Sequence, residues 1–211
     1  VDLMRVVSQT VARFGSLRIL VANAGRSEHY GPFECLDPEE ADREAKQVIG
    51  TNLIGTINTL ATVLPQMKSQ GYGRIVTLSG GGADRPIDNM TIYSASKGGV
   101  LAFSKCLSME LEKNGMDIKL NIFQPGIIRT GLTSNVNVVP KWKSCGKVQE
   151  DLDLVLKHIG GNLEESTSKI IPFVQPSCKV NGRVFRGFSM INMIRGGMKL
   201  KRAMRVRRVS R

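Results

Sequence analysis

The sequence of 211 residues predicts a three-layer, doubly wound α/β fold, with a parallel sheet between two layers of helices. Segments with helical and strand patterns alternate along the chain, as expected where crossover helices join parallel strands. The strand segments are almost continuously apolar, which is typical of strands buried on both faces. Hydrophobic residues make up 41% of the chain, so we expect a packed core and not a disordered polypeptide.

The predicted elements follow the order α-β-α-β-α-β-α-β, with all strands parallel. The first helix runs to a stop at Gly15, because apolar residues recur at helical spacing before it: Leu3, Val6, Val7, Val11 and Phe14. Further helices are predicted at residues 38–64, 91–113 and 150–159, and strands at 17–25, 73–79, 118–126 and 180–190. Gly50 and Gly55 weaken the middle of the second helix.

The composition argues against a transmembrane protein, a secreted protein and a disulfide-rich or zinc-binding domain. No apolar run approaches the roughly 20 residues of a membrane span, and no basic segment followed by an apolar one opens the chain as in a secretory signal. The four cysteines lie far apart without a CxxC pair, so we predict neither a metal site nor a disulfide scaffold. This cysteine usage suits a reducing compartment, and we expect a cytoplasmic protein.

The net charge of +12 comes entirely from the C-terminal segment. Residues 1–165 carry 18 acidic and 18 basic residues, whereas residues 166–211 carry 12 basic and no acidic ones. We therefore divide the chain into a globular part, residues 1–190, and a basic C-terminal tail, residues 191–211. Such a tail could contact nucleic acid or an anionic membrane. Its apolar residues form no clean stripe, however, so we expect a solvated segment.

The local sequence with the clearest chemical meaning is Tyr93-Ser-Ala-Ser-Lys97. Residues four apart lie on one face of a helix, so the two side chains are neighbours. A lysine cation favours the phenolate and lowers the pKa of the tyrosine, which fits a general acid/base acting on an alcohol or ketone. Taken alone, the pair also fits a lysine that merely extends beside a half-buried tyrosine.

Four other motifs accompany this pair in a fixed order: ANAG, TNLIGT, GRIVTLSGGG and QPGIIRTGL. Together with YSASK they make the sequence resemble the short-chain dehydrogenase/reductase family over residues 1–133, and weakly to about residue 190. The resemblance implies a Rossmann-like fold and hydride transfer between NAD or NADP and a small-molecule alcohol or ketone. It also implies a homo-oligomer, formed through the helices around residues 52–67 and 93–112.

The resemblance also assigns roles to particular residues. Tyr93 matches the catalytic acid/base, and Lys97 the lysine that tunes it and holds the nicotinamide ribose. Asn52 matches the asparagine of a proton relay, although beside Gly50 it could instead be a helix-breaking residue. The remaining matched positions imply cofactor contacts: Asn23, Ala24 and Gly25 at its adenosine half, and Pro125, Gly126, Ile128 and Thr130 at its nicotinamide end.

One departure from the family pattern concerns the catalytic serine. The family places it 13 residues before the tyrosine, where this chain has Gly80, while Ser79 lies 14 residues before. A strand position shifted by one residue faces the opposite side, so Ser79 fits the role only if the chain turns after Leu78. We treat Ser79 as a candidate for orienting the substrate oxygen.

A second departure is the absence of the family's first strand and its Gly-rich, phosphate-binding turn. We interpret the sequence as lacking the N-terminal strands, so that residues 17–21 become an exposed apolar edge. The first hypothesis is an oxidoreductase that uses Tyr93, Lys97, Asn52 and Ser79. The alternative is a truncated, catalytically impaired remnant that acts at most as a binding module. His29 and His158 are predicted to lie on the surface.

Overall fold

The computed structural model describes residues 2–134, 136–142 and 145–209. Three parts of the chain therefore extend outside the described residues: the predicted first helix at Val1, the segment of mixed character at 127–146, to which no element is assigned, at Asn135, Lys143 and Ser144, and the basic tail at Ser210 and Arg211.

Nine helices and six strands are described. The helices are α1 (Leu3–Phe14), α2 (Pro38–Ile49), α3 (Gly55–Ser69), α4 (Thr91–Lys113), α5 (Gly131–Ser134), α6 (Val148–Ile159), α7 (Leu163–Ser168), α8 (Ile171–Val174) and α9 (Met190–Val209). The strands are β1 (Ile19–Ala22), β2 (His29–Tyr30), β3 (Tyr72–Leu78), β4 (Asp117–Gln124), β5 (Asn137–Val138) and β6 (Val184–Arg186). A π-helical turn, Gly50–Ile54, joins α2 to α3.

Four strands form the main sheet in the order β1-β3-β4-β6, and every pairing is parallel. This confirms the predicted doubly wound α/β fold. The sequence did not predict a second sheet, in which the two-residue strands β2 and β5 pair in parallel. Beside it the rings of Tyr30 and Trp142 lie 6.1 Å apart.

The hydrophobic core lies on both faces of β3 and β4. On one face Ile75 packs with Leu60 and Met67 of α3. On the other face Val76 and Phe123 pack with aromatic rings from β6 and α8. Successive strand residues point to opposite faces, so this two-sided burial explains why the strand sequences are almost entirely apolar.

The β1 edge of the sheet is open in the part of the chain that is described. Ile19 and Val21 are 50% and 40% exposed, as the sequence predicted for an unpaired apolar edge. Leu17, in contrast, is buried because it packs in the core with Leu60 and Met67, and the Gln70 side chain bonds both its amide and its carbonyl group.

The helical segment Pro38–Ser69 is long and apolar enough to cross a membrane by length and composition alone. This differs from the expectation that no apolar run of the chain approaches the length of a membrane span. Its side chains Leu60, Val63 and Met67 are buried in the core described above, which accounts for part of its apolar character.

The C-terminal part differs in detail from its prediction. Of the predicted strand 180–190 only β6 forms, because Gly182 turns the chain with φ +69° and α9 begins at Met190. The basic segment is helical over its described residues and packs along α6. Gly196 lies so close to that helix that a Cβ would sit 2.2 Å from the His158 carbonyl oxygen.

Candidate functional site

Tyr93 and Lys97 lie in the first turns of α4, next to the carboxyl end of β3. The Lys97 side chain is buried, and its Nζ donates a hydrogen bond to the Leu78 carbonyl oxygen at 3.1 Å. The same Nζ lies 5.8 Å from the centroid of the Tyr93 ring. The structure thus brings the predicted pair together at the end of the sheet where ligands bind in open α/β folds.

Burial shifts the pKa of both groups against their charged forms. It raises the pKa of Tyr93 above its usual value and lowers the pKa of Lys97 to about 8. The expected net lowering of the Tyr93 pKa is therefore wrong for this structure, because desolvation of the phenolate outweighs the effect of the neighbouring Lys97 cation. At neutral pH the Tyr93 hydroxyl keeps its proton and is a hydrogen-bond donor.

The lysine shift predicts a gain in stability for Lys97→Met at pH 7. The pKa is about 8 in the folded protein and about 10.4 in an unfolded chain. The unfolded chain therefore binds more protons between these values, and stability rises with pH across that window. The buried charge costs about 3 kcal/mol below pH 8. Loss of the bond to Leu78 offsets about 1 kcal/mol, leaving a net gain of about 2 kcal/mol.

Urea unfolding at pH 7 and pH 10.5 measures this effect, and the advantage of Lys97→Met should shrink at the higher pH. Lys105→Met is the matched control, because Lys105 is exposed on the same helix. A variant that is destabilised equally at both pH values would contradict the burial of a charged lysine.

Asn52 lies in the π-helical turn between α2 and α3, and its side chain is fully engaged. Its Oδ1 accepts from the Arg26 amide at 2.8 Å, and its Nδ2 donates to the Arg26 carbonyl oxygen at 3.0 Å and to Ser96 Oγ at 2.9 Å. Ser96 Oγ in turn donates to the Tyr93 carbonyl oxygen. Asn52 therefore connects the loop after β1 to α4. π-Helical turns such as the one that holds Asn52 are frequent at functional sites.

The loop Asn23-Ala24-Gly25 follows β1 and is exposed. A Cβ placed on Gly25 would lie 3.3 Å from Lys97 Nζ and 3.4 Å from Asn52 Oδ1. A residue without a side chain is thus needed for this close approach. Three of the predicted motifs, which contain Gly25, Asn52 and Lys97, meet here.

Ser79 and Gly80 point in different directions at the end of β3. Ser79 is buried, and its Oγ donates to the Lys97 carbonyl oxygen at 3.3 Å, which directs it to the backbone of α4. A Cβ on Gly80 would instead lie 3.1 Å from Tyr93 Oη. The position that faces the tyrosine hydroxyl is therefore Gly80, and this geometry does not favour the predicted role of Ser79.

The predicted nicotinamide-end residues follow β4. Pro125 accepts a hydrogen bond from Ser166 Oγ at 2.8 Å, and Gly126 has φ +89° with the Phe188 ring against it. Ile128 is buried and bridges to Gly161. Thr130 is exposed, and its amide donates to Thr133 Oγ1 at 2.9 Å. The segment lies at the same edge of the sheet as Tyr93, since β3 and β4 are parallel.

The sequence analysis missed a cluster that anchors the loop after β3. Asp84 accepts hydrogen bonds from Gln124 Nε2 at 3.2 Å and from the Arg186 guanidinium at 3.0 Å. Burial by itself raises the pKa of Asp84, but its own backbone amide, Gln124 and Arg186 together hold that pKa below its usual value. The only sequence signal was an acidic residue after three glycines, which does not reveal its partners.

The predicted surface position of His29 is wrong. His29 is buried, and its Nδ1 lies 3.1 Å from Oε2 of the buried Glu44. Strand β2 brings His29 inward. Glu44 lies one helical turn before the buried Val48 on α2, and this spacing is the sequence signal that could have predicted the burial of Glu44. Within the described ranges no group of three or more His, Cys, Asp or Glu side chains could hold a metal ion.

Comparisons with known proteins agree with this arrangement. A family model described as short chain dehydrogenase matches residues 1–140. A putative ketoacyl reductase of Streptomyces coelicolor is 34% identical over 137 residues, which are 64% of this chain and 50% of that protein. The Arabidopsis thaliana 11-beta-hydroxysteroid dehydrogenase 1A is 36% identical over 132 residues, 63% of this chain and 36% of that protein.

A solved structure extends the similarity beyond the matched segment. The crystal structure of levodione reductase has a TM-score of 0.73 and 25% sequence identity, and the match covers 93% of this chain and 72% of that one. The chain spans half or less of the length of the two curated relatives.

Proposed function

The chain belongs to the short-chain dehydrogenase/reductase family, and on that premise we propose that it carries the catalytic residues of an NAD- or NADP-dependent oxidoreductase. The substrate is a small-molecule carbonyl compound or alcohol. The observation that carries the proposal is the buried Tyr93–Lys97 pair, which lies beside Gly25 and Asn52 at the carboxyl end of the sheet. Fold and site geometry thus support the same chemistry.

The residues present fit the nicotinamide half of the cofactor. The close approach of Gly25 to Lys97 Nζ leaves room that a Cβ would fill. Lys97 has three N–H donors, and its bond to Leu78 leaves others for the ribose hydroxyls. Asn23, Ala24, Pro125, Gly126, Ile128 and Thr130 are the further proposed contacts. When bound, the cofactor supplies or accepts the hydride. The described residues contain no Gly-rich turn for its pyrophosphate.

Tyr93 is the proposed general acid. Since burial raises its pKa, the hydroxyl is protonated at neutral pH and can donate its proton to the substrate oxygen during carbonyl reduction. Lys97, with its pKa of about 8, remains largely cationic at pH 7 and stabilises negative charge that develops on the Tyr93 oxygen. Asn52 is a positioning residue that holds the Arg26 backbone and Ser96 in place.

A fluorescence titration of the chain with NADH and NADPH is the first test, with its oligomeric state measured in parallel. Saturable binding in the micromolar range, followed by turnover of ketones, supports the proposal. Absence of binding by a folded chain would contradict it for this chain and favour the remnant hypothesis, in which the fold has lost its catalytic use.

The glycine at the serine position provides a gain-of-function test. Gly80→Ser places a hydroxyl beside Tyr93 Oη, where it can donate to the substrate oxygen. We expect kcat for ketone reduction to rise by about 10²-fold, the effect of one such donor. Gly80→Ala is the matched control, because it adds only the Cβ. If the serine variant were no faster than the alanine variant, another group would already orient the oxygen.

We also infer that the chain self-associates through α3 and α4. Ile54, in the π-helical turn directly before α3, and Met109 of α4 are about half exposed, as suits a partly apolar contact between copies. Sedimentation equilibrium would detect such a dimer, and Met109→Glu should weaken it. A cytoplasmic location remains part of the proposal, and it is supported by the free Cys35, Cys106 and Cys178 among the described residues.

A further inference from the structure

A pocket lies at the N-terminal end of α4, the helix that carries Tyr93, and the roles assigned above do not use it. It is lined by His29, Phe33, Leu36, Glu44, Asn89 and Ile92, and we call it the His29 pocket. Thr91, also in its wall, and Ile92 are the first two residues of α4 and immediately precede Tyr93. The pocket and Tyr93 thus share the first turn of α4, and the proposal below places both against one bound molecule.

The polar wall of the pocket is a buried His–Glu pair. His29 and Glu44 are only 9% and 4% exposed, and they are joined through His29 Nδ1. In the part of the chain that is described, the other ring nitrogen, Nε2, makes no hydrogen bond. Among the described residues, Arg74 Nε is the one side-chain atom that is both fully enclosed and without a partner. His29 Nε2 has no partner, so it is not fully enclosed, and His29 lines the pocket. A polar atom of a buried side chain ordinarily has a partner.

The walls of the pocket are held in place by backbone hydrogen bonds. The Gly31 amide donates to the Asn89 carbonyl oxygen at 3.0 Å, which connects the loop after β2 to the segment before α4. Asn89 is the one described residue other than glycine with positive φ, at +65°. The Val139 amide donates to Tyr30, beside the pairing of β2 with β5. The pocket is thus preformed, as ligand sites usually are.

We propose that the His29 pocket binds a neutral hydroxyl group of the carbonyl substrate, remote from the reacting carbon. When Nδ1 donates to Glu44, Nε2 is an acceptor, and a hydroxyl can donate to it. Since a hydroxyl can also accept, it suits a protonated ring equally. The buried Glu44 carboxylate repels an anionic group at the same place. The apolar side chains Phe33, Leu36 and Ile92 contact the carbon skeleton. This inference rests on the proposed function.

Three ketones of matched shape test the preference: 4-(hydroxymethyl)cyclohexanone, 4-methylcyclohexanone and 4-oxocyclohexanecarboxylate. With NADPH or NADH present, we expect kcat/KM of the hydroxymethyl compound to exceed that of the methyl compound by about tenfold, the effect of one well-placed hydrogen bond. The carboxylate should be the poorest substrate. Equal values for the hydroxymethyl and methyl compounds would overturn the proposal.

Two substitutions separate recognition from packing. His29→Asn keeps a group at the position of Nδ1, next to Glu44, but removes the atom that faces the pocket. His29→Gln extends an amide to the position of Nε2. We expect the tenfold ratio to fall to about one in His29→Asn and to be partly retained in His29→Gln. An undiminished ratio in His29→Asn would refute the role of His29.

Binding without turnover makes the subsite testable apart from the reaction. The chain has two histidines, so in ¹H–¹⁵N spectra of the imidazole rings His158 is an internal control. We expect 4-(hydroxymethyl)cyclohexanone to shift the His29 signals saturably and 4-methylcyclohexanone to leave them unchanged. A response without turnover would support the pocket and contradict the proposed function. Turnover without a shift of the His29 signals would support the proposed function and contradict the pocket. Absence of both turnover and shift would overturn both proposals.

Discussion

Tyr93→Phe is expected to lower kcat for ketone reduction by about 10²- to 10⁴-fold while leaving the fold intact. The substitution removes only the hydroxyl, which is the proposed proton donor, and a positioned general acid contributes a factor of this size. The ring stays in place beside Lys97. NAD(P)H oxidation at saturating ketone measures kcat, and circular dichroism verifies the fold.

Tyr72→Phe is the matched control for this experiment. Tyr72 lies at the start of β3, the end of the sheet opposite to the site, where its ring contacts the guanidinium groups of Arg18 and Arg74. Those contacts need the ring and not the hydroxyl, so activity should be unchanged. If Tyr93→Phe retained more than a tenth of the wild-type kcat, Tyr93 would not be the acid, and the proposed mechanism would fail.

Asn52→Ala is expected to lower the free energy of unfolding by about 2–4 kcal/mol. The substitution leaves the part-buried Arg26 amide and carbonyl groups without their partner, and the buried Ser96 Oγ loses a hydrogen bond. Each buried polar group deprived of its partner costs about 1–3 kcal/mol. Because the same bonds hold the loop after β1 against α4, cofactor binding should weaken as well. Urea unfolding and the NAD(P)H titration measure the two effects.

Asn58→Ala is the control on the same helical segment. Asn58 is exposed, so its loss should change the free energy of unfolding by less than about 0.5 kcal/mol. If Asn52→Ala were as mild as Asn58→Ala, then the connection of loop and helix through Asn52 would not contribute to stability. A change in stability without a change in cofactor affinity would limit Asn52 to a structural role.

Local pattern was sufficient for the fold class and for the proximity of Tyr93 and Lys97. Residues 73–79 and 118–124 are apolar enough to indicate strands buried on both faces, and β3 and β4 are such strands. Tyr93 and Lys97 are four residues apart on a helix, so their proximity depends only on helical geometry. Both inferences succeed because they involve periodicities that short segments possess by themselves.

The partners of residues far apart in sequence needed the tertiary structure. His29 and Glu44 meet because β2 and α2 pack together, and Asp84 meets Arg186, 102 residues away, because β3, β4 and β6 end at one edge of the sheet. Neither pair has a spacing that a periodic pattern would reveal. The two-residue strands β2 and β5 are likewise too short for their residues to indicate a sheet.

The sequence by itself determined the doubly wound α/β class, the order of the main strands along the chain and the proximity of Tyr93 and Lys97, because apolar periodicity and helical spacing are local properties. Only the tertiary structure decided that Gly80, and not Ser79, faces the Tyr93 hydroxyl, since this depends on where the strand ends. It also decided the direction of the Tyr93 pKa shift. The cost of removing water from a phenol depends on every segment that packs around it, and no spacing of residues encodes that sum.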